Sequence, residues 1–64
     1  MQWAQIEKRW DTSRAQILSQ WGKLTAGDLE RVGGARDALI GCIAERYGVD
    51  RSDAERQVDE WLSA

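Results

Sequence analysis

The stretch Ala35–Gly48, ARDALIGCIAERYG, decides how this chain folds. Leu39, Ile43 and Tyr47 recur at i, i+4 and i+8, with Ile40 and Cys42 beside them. That spacing returns to one face of a 3.6-residue helix. Arg36, Asp37, Glu45 and Arg46 make the opposite, charged back. Gly48 ends the segment, because glycine enters the left-handed conformation past a helix C-terminus without steric penalty. The reading is therefore a buried helical spine, with every other apolar run laid against it.

Working back from the spine, Gly33-Gly34 is a break that lets the chain turn into it. A short helix over about 26–32 precedes that break, with Leu29 and Val32 facing inward. Three signals start it: Thr25 as N-cap, Asp28 three residues on as the acid of a capping box, and a Leu24–Leu29 staple. Gly22 reads as the stop of an earlier helix ending at Trp21. Trp3, Ile6, Trp10, Ile17 and Trp21 fall on one stripe of residues 3–21. Asp11-Thr12-Ser13 interrupts that stripe with residues that favour caps and turns. The expectation is a helix over about 10–21 preceded by a lead-in, residues 1–9, that continues the same spacing.

Beyond Gly48 the grammar repeats. Asp50 is the expected cap, Asp53 sits three residues on, and Val49 is placed to staple to Ala54. A last helix over about 51–63 carries Ala54, Val58, Trp61 and Leu62 inward. Arg51–Glu55 and Arg56–Glu60 are expected as outer i,i+4 pairs. The fold class is all-α: a single compact bundle of about four short helices. The main domain is expected over 10–64.

Composition narrows the function. The chain has 64 residues, no proline, no phenylalanine and no histidine. A domain this small has a thin stability margin, which four tryptophans, each burying roughly 200 Å², help to widen. The lone Cys42 suits a reducing compartment. No apolar run is long enough to span a bilayer, and no secretory h-region opens the chain, so a cytoplasmic protein is expected. Net charge is −2, with four bases and two acids in residues 1–24 and five bases and nine acids in 25–64. A nucleic-acid binder needs a basic face, so nucleic acid is disfavoured as a partner.

Together, Trp21-Gly22-Lys23-Leu24-Thr25, Gly34, Arg36-Asp37, Leu39, Gly41, Ile43, Glu45-Arg46-Tyr47-Gly48, Ala54-Glu55 and Asp59-Glu60-Trp61 form a recognisable pattern. Over residues 10–61 the chain resembles the CsbD-like family of small bacterial stress proteins, YjbJ type. The resemblance implies a compact bundle of short helices with two helical hairpins crossing steeply, expression under general stress in the cytoplasm, and no known catalytic activity. The chain departs from the family at Thr12–Leu18, TSRAQIL, where a lysine- and glycine-rich helix is usual. Ala35 and Cys42 stand where lysines are common, and Met1–Arg9 with Trp3 has no placed counterpart.

No candidate catalytic, cofactor or metal residue emerges. Without histidine, neither Cys42 nor the serines have a base beside them. Cys42 reads as a half-buried thiol rather than a redox sensor. Asp28–Glu30 and Asp59–Glu60 read as solvated carboxylates. Gly33-Gly34 precedes a helix but lacks the lysine and Ser/Thr of a phosphate loop. Gly41 inside the spine implies close approach of another helix. The tryptophans read as core rather than as a stacking platform, with Trp3 divided between core and contact surface. Lys8, Arg9 and Arg14 opposite the first stripe suggest a weak membrane-surface helix, which the buried stripe argues against. The expected protein is thus non-enzymatic, binding a protein partner or itself, with nucleic acid as the rival ligand and no membrane, cofactor, metal or small-molecule substrate.

Overall fold

The computed structural model describes residues 2–63; the expected outer limits at Met1 and Ala64 lie outside them. Five helices follow one another: α1 (Trp3–Lys8), α2 (Trp10–Gln20), α3 (Ala26–Val32), α4 (Arg36–Tyr47) and α5 (Arg51–Ser63). They pack into a globule of 28 × 25 × 18 Å. Helix α4 lies against both α3 and α5, α1 lies against α2, and α2 against α3. No strand occurs among the described residues, as the scarcity of β-branched residues predicts.

The spine is where the sequence placed it. Leu39, Ile40 and Ile43 are at most 1% exposed and join Ile6, Ile17, Trp21, Leu24, Leu29, Val32, Ala54 and Val58 in one core. Gly48 closes α4 at φ +64, and the Val49 N–H reaches back to the Ala44 carbonyl at 3.1 Å in a Schellman closure. At the start of α3 the capping box is complete. The Asp28 N–H donates to Thr25 Oγ1, and the Thr25 N–H donates to Asp28 Oδ2, each at 3.1 Å. Gly33 and Gly34 both take positive φ between α3 and α4.

The helix expected over about 10–21 is α2, and the lead-in before it is a separate helix, α1. The chain breaks between them at Arg9, with φ −113 and ψ 47, while Asp11-Thr12-Ser13, read as an interruption, lie inside α2. Tertiary contacts set this corner. Buried Ser13 donates its hydroxyl to the Ile6 carbonyl at 3.1 Å, satisfying a group near the end of α1. Trp3 donates Nε1–H to the Gly34 carbonyl at 3.0 Å, pinning α1 over the α3–α4 turn. A Cβ on Gly34 would stand 3.2 Å from Glu7 Cγ, so the glycine also permits that docking. At the other end, α2 stops at Gln20, and Gly22 is not left-handed. The Leu24 N–H instead bonds to the Trp21 carbonyl at 3.1 Å, which turns the chain without a positive φ.

Two further expectations are corrected. Gly41 marks no close helix approach: an added Cβ would meet only Arg51 Nη1 at 3.7 Å. The outer pairs on α5 are also different. Arg51 reaches Asp37 on α4 at 3.3 Å, and Arg56 pairs with Asp53 at 3.1 Å. Arg36 on α4 bonds Asp59 on α5, a second tie between these helices.

Candidate functional site

The carboxylate that the sequence reading treated as solvated is the most enclosed polar group of the fold. Asp28 is 1% exposed. It sits at the third position of α3 because the capping box puts it there, and the C-terminal turn of α4 brings Arg46 across to it. Arg46 grips the carboxylate with both arms, Nη2 to Oδ1 at 2.8 Å and Nε to Oδ2 at 3.0 Å. Arg31, one turn along α3, adds Nη2 to Oδ1 at 2.5 Å. Two guanidinium groups and the Thr25 N–H hold the carboxyl well below the usual carboxylate range, Arg46 contributing most and burial opposing it. All acceptor directions are occupied, so Asp28 has neither a free lone pair for catalysis nor an open face for a metal. It is a clasp between α3 and α4. Glu30 and Glu60 are exposed, as expected.

Cys42 is half-buried, and desolvation pushes its thiol up. That is the opposite of what a reactive thiolate needs. Among the described residues no group of His, Cys, Asp or Glu is placed to hold a metal ion.

The indoles form two pairs rather than one platform. Trp3 and Trp10 meet across the α1–α2 corner with ring centroids 6.2 Å apart. Trp21 and Trp61 meet edge to face at 5.5 Å, joining the end of α2 to α5. Trp21 is buried and donates Nε1–H to Gln57 Oε1 at 3.0 Å. Trp61 is only half-buried, as is Leu62 beside it. Gln20, Gln57, Glu60 and Trp61 line a shallow depression of about 230 Å³ over this second pair. A larger groove, about 410 Å³, runs between α1 and α2, lined by Lys8, Arg9, Gln5, Thr12 and Gln16 among others. Of the three cations placed on this side by sequence, Arg14 is engaged by Asp11 at 3.1 Å. No helix among the described residues is long and apolar enough to cross a membrane.

The chain is 44% identical over 52 residues to the UPF0337 protein YjbJ of Escherichia coli O6:H1, covering 81% of this chain and 75% of that protein. The chain belongs to the UPF0337 family, the CsbD-like proteins. A UPF0337 protein of Pectobacterium atrosepticum is 42% identical over 57 residues, 89% of this chain and 83% of its own length. One from Nitrosomonas europaea is 34% identical over 59 residues, 92% of this chain and 63% of its own length. No family model matches the chain, and no solved structure matches it. The family name assigns no activity.

Proposed function

We propose that this UPF0337 chain is a non-enzymatic, cytoplasmic stress protein that works by self-association through the Trp61 face. One observation carries the reading. Trp21 closes the core, whereas its partner Trp61 and the adjacent Leu62 are left half in solvent on the last helix. A large indole at the surface, rimmed by the polar Gln20, Gln57 and Glu60, has the composition of an interface centre rather than of a core. A domain of this size also gains stability by covering such a face with a second copy. The alternative partner is another protein using the same face.

Sedimentation velocity across micromolar to millimolar concentrations tests it. The expected result is a mass that rises with concentration, and a weaker rise for Gln20→Arg and Glu60→Lys, whose exposed side chains leave the fold intact. A strict monomer at every concentration would end the reading.

Nucleic acid is the rival. Of the N-terminal bases, Arg14 is tied to Asp11, and Lys23 lies over the Tyr47 ring with Nζ 5.2 Å from its centroid. Among the described residues the two cations without a partner, Lys8 and Arg9, offer too few phosphate contacts for strong duplex binding, for which log affinity falls by about 0.9 per contact with log salt. A mobility shift with duplex DNA that persists at moderate salt would favour the rival instead.

A further inference from the structure

Most cations among the described residues have a partner. Arg14 pairs with Asp11, Arg31 and Arg46 with Asp28, Arg36 with Asp59, Arg51 with Asp37 and Arg56 with Asp53. Lys23 lies over Tyr47. Among the described residues Lys8 and Arg9 alone have no ion pair and no ring beneath them. These two are neighbours in sequence, stand at the break between α1 and α2, and line the same groove.

The groove has the right chemistry for an anion. None of its lining residues is acidic. Of the carboxylates adjacent in sequence, Glu7 lies with its Cγ beside Gly34, and Asp11 is held by Arg14. Ser13 is committed to the Ile6 carbonyl, which leaves the Gln5 and Gln16 amides and the Thr12 hydroxyl as neutral donors beside the two charges. At about 410 Å³ the groove is of small-ligand size. Its charge is a local point on a chain of net charge −2, not a track along which a polymer backbone could lie. We infer that the α1–α2 groove is a binding site for a small phosphate-bearing anion, with Arg9 and Lys8 as its charged donors and Thr12, Gln5 and Gln16 as its neutral ones. A planar guanidinium matched to phosphate oxygens, with an ammonium beside it, is the usual arrangement for such a ligand.

The site uses the α1–α2 corner and none of the residues of the Trp61 face, so either can fail without the other. Titration with inorganic pyrophosphate, followed by amide and arginine side-chain NMR shifts on the full chain, tests the inference. Shifts are expected for residues 5–16 and at Arg9 Nε, saturating with added pyrophosphate and weakening with salt. Lys8→Gln and Arg9→Gln are each expected to weaken binding about tenfold. Both side chains are exposed and unpaired, so thermal melts of the variants should match the parent and separate lost binding from lost fold. No shifts, or shifts spread over Arg31, Arg46 and Arg51, would overturn the site. Malonate binding more tightly than pyrophosphate, or duplex DNA binding where pyrophosphate does not, would overturn the ligand class.

Discussion

Ile43→Ala is the most informative single change to the fold. Ile43 is 0% exposed at the centre of α4, in the same core as Leu29 and Leu39 from α3 and α4 and Ala54 and Val58 from α5. Removing its three outer carbons deletes apolar contact and leaves a void that a well-packed helix interface fills only in part. Substitutions of this kind cost about 2–5 kcal/mol. A domain of 64 residues holds only about 3–10 kcal/mol in total, at about 0.05–0.15 kcal/mol per residue. Each kcal/mol moves the midpoint of so small a domain by about 4–8 °C. The expected outcome in thermal melts by far-ultraviolet circular dichroism is a midpoint lowered by at least about 10 °C, or no cooperative transition at all. A variant melting within about 2 °C of the parent would refute the placement of α4 at the centre, because so small a cost is that of a surface position and not of a buried isoleucine.

Other positions test the same structure from different sides. Gly41→Ala should raise stability by about 0.5–1 kcal/mol in denaturant unfolding, since the site is helical and the new Cβ meets only Arg51 Nη1 at ordinary contact distance. Gly34→Ala should lower it by about 1–2 kcal/mol, because φ is +89 and the Cβ would crowd Glu7; the same melts decide the sign. Asp28→Asn should destabilise the protein at neutral pH. The folded carboxyl titrates below its unfolded value, so its contribution is present above about pH 4 and is lost as acid approaches the folded pKa. Unfolding followed from pH 7 down to pH 2 should therefore show a steeper acid loss for the parent than for the variant; equal slopes would remove Asp28 from its role as clasp.

What was legible in the sequence was what local chemistry writes down. Thr25 and Asp28 are three residues apart, so a capping box is visible without knowing the fold. Gly33-Gly34 and Gly48 were legible as breaks and take positive φ, whereas Gly22, read as a stop in the same way, does not. The spacing of Leu39 and Ile43 needs only a helical period. What was not legible depends on partners distant in the chain. Asp28 looks like a solvated helix-start carboxylate until Arg46, eighteen residues away, closes on it. The boundary near residue 10 was legible, but the contacts that fix the corner there were not. The break follows from Trp3 reaching Gly34 and Ser13 reaching Ile6. Arg51 has a suitable acid at Glu55 but finds Asp37 on the neighbouring helix instead. The groove beside Lys8 and Arg9 was hidden for the same reason, because it exists only once α1 folds back on α2.

Native-state hydrogen exchange tests the central claim most directly, since it ranks the helices by the free energy needed to open them. The amides of Leu39 to Ala44 on α4 should be the slowest in the molecule and exchange only with global unfolding, while those of α1 exchange through cheaper local opening. Slower exchange in α1 than in α4 would contradict the account, because the helix on which the others are built would then be the first to open.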